Sequence, residues 1–197
     1  MQPLTFDAPL PRSFYERPVR VVARELLGCY LVHRARSRFV GGRIVETEAY
    51  GGPGDPGSHA DRAPSGRARI MFGPAGIAYV YFTYGMHHCL NAVADREGKG
   101  SAVLIRALEP IWGLRGMRTR APASLPDHRL TSGPGRLCRA LGIEKRFNGA
   151  DLVAGPLRVL PRDGTRPKIL SGTRVGLTLD DERAWRFWIE SAAVGRR

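Results

Sequence analysis

Apolar positions in the first third of the chain change period from helical to alternating. Val19, Val22, Ala23, Leu26 and Leu27 fall at helical spacing behind Pro18 and ahead of Gly28, which predicts a core helix opened by proline and ended by glycine. Cys29 to Val32 is then apolar and β-compatible, and the polar run 34–42 turns the chain into a second strand, giving an antiparallel pair. Further on, Ala78 to Thr83 predicts a strand, Gly85 a tight turn, Leu90 to Ala94 the returning strand, and Val103 to Leu108 another after a turn over 95–100. Pro110 predicts a helix running through Met117. Ser132 predicts the cap of a second, with Pro134 in its first turn and Gly142 just past its end. Residues 157–160, 169–170, 175–179 and 186–189 are weaker strand candidates, and 51–69 and 119–129 have loop composition. With no repeat and no linker, the chain reads as a single domain over 1–197. The expected class is α+β, a curved, largely antiparallel sheet of roll or open-barrel type flanked by helices.

The alternation is broken where it matters most. In the run Arg43-Ile-Val-Glu-Thr-Glu-Ala-Tyr50, a strand places Ile44, Glu46, Glu48 and Tyr50 on one face and Val45, Thr47 and Ala49 on the other. Two carboxylates therefore share a face with an aromatic ring, and burying a carboxylate costs several kcal/mol, on the order of a whole core side chain, unless something pairs with it or uses it. Either glutamate suits a general base, and spacing alone leaves them tied. Arg106, set among Val103, Leu104, Ile105 and Leu108, is the cation best placed to keep such a base ionised.

Aromatic residues cluster around this strand. Tyr50, the loop residue His59 and Tyr81 can offer π surfaces to a flat ligand, although strand tyrosines also serve as ordinary core. Tyr79 and Tyr81 share strand parity, whereas Tyr84 breaks it and falls beside Gly85 at the turn, an exposed place that suits a wedge better than a core. Asn91 lies in the returning strand. Ser132 to Arg136 forms a helix N-terminus able to grip an anion through Gly133 and Arg136.

Charge narrows the class. The chain has 31 basic and 18 acidic residues, a formal charge of +13, and a pI near 10.7. That surplus favours a polyanionic partner. A non-enzymatic nucleic-acid-binding module explains the charge but not the paired carboxylates, which repel phosphate. A metal-dependent nuclease using Asp55, His59 and Asp61 is a further alternative, whereas a zinc deaminase is excluded by His59-Ala-Asp61 and the lack of Cys-x-x-Cys. Cys29, Cys89 and Cys138 are widely spaced, and with no apolar leader or membrane-length segment this predicts a reduced, cytoplasmic protein.

The blocks Arg43–Tyr50, Tyr79 to Met86, Leu104 to Pro110 and Ser132 to Leu141, in this order, resemble the alkyladenine (3-methyladenine) DNA glycosylase family. The resemblance runs from about Pro18 to Trp188 and departs from it over the last residues, 189–197. It implies a monofunctional enzyme, without cofactor or metal, that flips damaged purines from double-stranded DNA and hydrolyses the N-glycosidic bond to begin base excision repair, and we expect a monomer. The substrate class implied spans 3-methyladenine, 7-methylguanine, hypoxanthine and ethenoadenine. Glu48 then becomes the catalytic carboxylate and Glu46 its ion-paired support, while Arg106 and the backbone carbonyl of Val175 help hold the attacking water. Tyr50, His59 and Tyr81 become the base pocket, Asn91 a filter against guanine's amino group, and Tyr84, helped by Met86, the residue that intercalates from a β-hairpin.

Overall fold

The computed structural model describes residues 8–35, 38–62, 64–164, 166–177 and 182–195. Two short helices, α1 (Arg12–Tyr15) and α2 (Val19–Glu25), lead into strands β1 (Tyr30–Ala35) and β2 (Arg38–Tyr50). A long connection containing a 3-10 helix (Gly66–Phe72) reaches β3 (Ala78–Thr83), β4 (His87–Ala94) and β5 (Ser101–Trp112). Helices α3 (Leu114–Arg118) and α4 (Pro134–Leu141) follow, then β6 (Leu157–Leu160), β7 (Leu170–Gly172) and β8 (Arg186–Trp188). The described strands form one antiparallel sheet in the order β3-β4-β5-β2-β1-β6, with β8 paired to β2 and β7 to β8. It curls into a half-barrel, so the domain is α+β as expected.

Strand β2 is hydrogen-bonded on both edges, to β5 from Gly41 to Tyr50 and on the other side first to β1 and then to β8. Its carboxylates therefore sit on the most constrained strand of the sheet. The two faces separate by period 2. Thr47, Ala49, Val80, Leu90, Ala92, Val103 and Ile105 face the main core under α2 and α4, with the Thr47 hydroxyl donating to the Ala23 carbonyl at 2.8 Å. Tyr50, Tyr79, Tyr81, Val93 and Ala102 face the opposite way and pack with Ala60, Met71 and Phe72 of the long connection. This second face is where a cavity opens.

Several expectations need correction. Ile44 does not share the face of Glu46 and Glu48. The register against β5 shifts between Ile44 and Glu46 and again before Thr47, a bulge that turns Ile44 into the main core. Pro110 does not begin a helix: β5 runs on to Trp112, Pro110 lying where the register with β2 slips at Gly41 and Gly42 so that its missing N–H is tolerated, and Gly113 (φ 77°) ends the strand before α3. Ser132 does not cap α4. Gly133 is the N-cap, with φ 94° and ψ 149° and no side-chain hydrogen bond, while Gly142 (φ 67°) closes the helix as expected. The segment predicted as a strand over 175–179 is a bend at Val175 and Gly176, its remainder from 178 lying outside the described residues. Residues 66–72, most of them read as loop, form the 3-10 helix.

Candidate active site

The cavity on the second face has a volume of about 340 Å³ and is bordered by Tyr50, His59, Arg67, Tyr79, Tyr81, Tyr84, Asn91, Arg106, Pro134 and Val175 among others. Directly behind its wall lies Glu48, 0% exposed. Its Oε2 accepts from the Tyr50 hydroxyl at 2.8 Å and from Arg106 Nη1 at 3.2 Å, and its Oε1 accepts from the Val175 backbone N–H at 2.7 Å. All three donors border the cavity. A carboxylate oxygen has two acceptor sites, and the Val175 amide takes one of those on Oε1. The segment after Arg174 is thus tied to Glu48 through the Val175 amide.

Glu46 is equally buried but differently engaged. Its Oε1 takes Arg106 Nε at 3.1 Å and Arg186 Nε at 2.6 Å, so it anchors guanidinium groups and leaves Glu48 the member of the pair addressed to the cavity. Burial works against the charge of Arg106, but the carboxylates of Glu48 and Glu46 outweigh it and raise its pKa. Burial and the Glu48 charge likewise raise the Tyr50 hydroxyl, which remains a donor.

The aromatic walls meet at His59, whose Nδ1 lies 2.9 Å from the Tyr79 hydroxyl and whose ring stands edge-on to Tyr81 with centroids 4.7 Å apart. Burial, then the charge of Arg67, lower the His59 pKa, so the ring is neutral above its ordinary value near pH 6.5. Asn91 is buried and donates from Nδ2 to the Tyr79 carbonyl at 3.1 Å, its amide held against the cavity wall. At the rim, the turn joining β3 to β4 has positive φ at both central residues, Tyr84 (51°) and Gly85 (65°), with Met86 N–H bonded to Thr83 O at 3.2 Å. That is the type I′ pattern favoured in hairpins. Tyr84 is 80% exposed and Met86 65%. Arg136 turns its Nε onto the Ser132 carbonyl at 2.7 Å, and Gly133 opens α4, whose Pro134 touches the cavity.

The nuclease candidates do not converge. Asp55 is occupied by Arg174 (2.6 and 2.7 Å) and Arg183 (3.1 Å), His59 by Tyr79, and Asp61 by the Gly54 amide. No group of three metal-ligating side chains is found among the described residues, and no described helix is long and apolar enough to cross a membrane.

Sequence reasoning missed Tyr79, Arg67, Arg186 and the Asp55–Arg174 pair. Tyr79 shares parity with Tyr81 and was findable. Arg174, its side chain fully buried, also donates to the Ala49 carbonyl at 3.1 Å and stacks over Tyr50 at 4.7 Å, immediately before Val175; no local pattern signals that.

Residues 13–193 match the family of methylpurine-DNA glycosylases (MPG). A protein of Methanoculleus marisnigri is 48% identical over 95% of this chain and 99% of its own length. One of Streptomyces avermitilis is 45% identical over 93% and 88%, and one of Myxococcus xanthus 44% over 93% and 91%. Each carries the name "Putative 3-methyladenine DNA glycosylase".

Proposed function

We propose, from the premise that the chain belongs to the methylpurine-DNA glycosylase family and is a DNA glycosylase, a hydrolase of N-glycosyl bonds serving DNA repair, that Glu48 is its general base. The observation carrying this is the placement of Glu48 behind the cavity wall with all three of its donors on that wall. A damaged purine nucleotide flipped out of the duplex enters between the rings of Tyr50, His59 and Tyr81. Glu48 takes a proton from water attacking C1′, and its negative charge stabilises the cationic sugar that forms as the base departs. Arg106 keeps the carboxylate ionised and fixed. Asn91 narrows the pocket against an exocyclic amino group, Tyr84 fills the gap in the stack with Met86 against the adjacent pair, and Gly133 and Arg136 lie where a backbone phosphate passes.

On this reading the substrates are alkylated or deaminated purines of the 3-methyladenine, 7-methylguanine, hypoxanthine and ethenoadenine class in double-stranded DNA, and a monomer suffices. Water is the nucleophile. Schiff-base chemistry needs an amine, and none of Lys99, Lys145 and Lys168 borders the cavity. Borohydride should therefore trap no covalent protein–DNA adduct, and alkali should be needed to cleave the abasic product.

The test is single-turnover excision by Glu48→Gln and Glu46→Gln. Glutamine keeps the shape but takes no proton, so Glu48→Gln should bind lesion DNA yet lose about 100- to 10,000-fold in rate, while Glu46→Gln retains appreciable excision. Near-normal turnover by Glu48→Gln overturns the assignment.

A further inference from the structure

The charges around the cavity are not balanced on the side the base would enter. Among the described residues the carboxylates behind its wall are already taken: Glu48 by Arg106, Glu46 by Arg106 and Arg186, Asp55 by Arg174 and Arg183. Among the described residues no carboxylate borders the cavity itself, whereas two guanidinium groups do, those of Arg106 and Arg67. Arg67 stands on the 3-10 helix with its Cζ 5.7 Å from the centre of the Tyr81 ring. Among the described residues it makes no ion pair, and its side chain is exposed to solvent at the cavity edge. A base stacked on Tyr81 therefore comes within reach of an uncompensated positive charge.

We propose that Arg67 sets the charge preference of the site, favouring neutral purine lesions over cationic ones; this rests on the glycosylase reading above. When the C1′–N9 bond breaks, its electron pair leaves on the purine, while the water oxygen bonds C1′ and the water proton goes to Glu48. A neutral purine such as hypoxanthine departs carrying negative charge, which Arg67 stabilises only as it develops, so the gain falls in the transition state. A purine methylated at N7 is already cationic and departs neutral. It gains nothing from Arg67 and is repelled on entry. The neutral state of His59, which Arg67 helps to enforce, is the same field acting on a neighbouring ring.

Duplexes carrying hypoxanthine or 7-methylguanine opposite cytosine test this, because both bases present O6 and differ in charge. Single-turnover rates are compared for the unaltered protein, Arg67→Gln and Arg67→Lys, with spontaneous depurination subtracted. A unit charge about 6 Å away at a partly solvated edge is worth roughly tenfold, so Arg67→Gln should shift the rate ratio about tenfold toward 7-methylguanine and Arg67→Lys should preserve most of it. An unchanged ratio overturns the proposal, as does an equal loss on both lesions accompanied by a shallower salt dependence of binding, which would make Arg67 a phosphate contact. If the unaltered protein excises neither base the substrate class proposed above fails, and if it excises without needing Glu48 the general-base assignment fails; Arg67's role falls with either. Glu48-dependent excision whose ratio ignores Arg67 sinks the role of Arg67 alone.

Discussion

At Tyr84 the chain holds a bulky residue in the left-handed region, φ 51°, and leaves its ring 80% exposed. Positive φ is costly for such a side chain, on the order of 1 kcal/mol or more, and an exposed ring recovers nothing from packing. Strain with no structural return points to use. If the ring replaces a flipped nucleotide, its loss should matter in proportion to the work of extrusion, which is a few kcal/mol in a stable duplex and less at a mismatch. Tyr84→Ala should therefore slow excision from a well-paired duplex much more than from a mismatched one, while the melting temperature moves little because the tip carries no core. Equal loss on both substrates would make Tyr84 a pocket wall, and a large drop in melting temperature a structural residue. Tyr84 was legible in sequence through its broken parity beside Gly85. Glu46 and Glu48 were legible only as a pair, since both share a face and a strand pattern cannot say that Arg106 bonds both while Arg186 goes to Glu46.

Strand β2 and the segments that flank it supply most of the site. The alternation of β2, β3, β4 and β5 was readable because each buries both faces differently, helices on one and the cavity-bearing connection on the other. What stayed hidden depends on register: the bulge that turns Ile44 into the core, the pairing of β8 that brings Arg186 to Glu46, and the buried Arg174 that meets Asp55 119 residues away along the chain. That last pair clamps the connection after β2 to the segment holding Val175. Burial opposes ionisation of Asp55, but hydrogen bonds from Arg174 and the Gly51 amide and the charges of Arg174 and Arg183 outweigh it and lower its pKa. A carboxylate whose folded pKa is depressed stabilises the fold fully above its unfolded value near 3.9, and the contribution fades as pH falls through the lowered folded value. Asp55→Asn should thus cost about 3–5 kcal/mol at neutral pH, the usual result of removing one partner from a buried pair. Its deficit against the unaltered protein, measured by denaturant unfolding, should shrink below about pH 4; a deficit constant down to pH 2 would separate it from ionisation. Gly133 makes a second test at this scale. Its φ of 94° with ψ 149° is accessible essentially to glycine alone, so Gly133→Ala should destabilise by about 1–3 kcal/mol, and an unchanged melting temperature would count against the strained entry to α4.

For the molecule as a whole, the distribution of charge decides how DNA is held. Many of its carboxylates are consumed in ion pairs, not only around the cavity but also at Asp151 with Arg12, Glu109 with Arg43 and Asp127 with Arg118. The formal surplus of +13 is therefore carried largely by arginines whose charge is not cancelled nearby. On a duplex, each phosphate they neutralise releases condensed counterions, and log K should fall with log salt by about 0.9 for each such phosphate. The bound step behaves differently, because Glu48 and Glu46 are buried, the Arg106 side chain between them is only 11% exposed, and their mutual field is little screened by ions outside. Raising salt from about 50 to 200 mM should consequently weaken binding by orders of magnitude if several phosphates are contacted, yet leave the single-turnover rate at saturating protein nearly constant. Glu48→Gln should show the same binding slope as the unaltered protein, since the carboxylate reaches no phosphate. Binding that stays flat over this range would place the surplus charge away from DNA, and a saturated rate that falls in step with affinity would mean that salt acts on base extrusion or on the site itself.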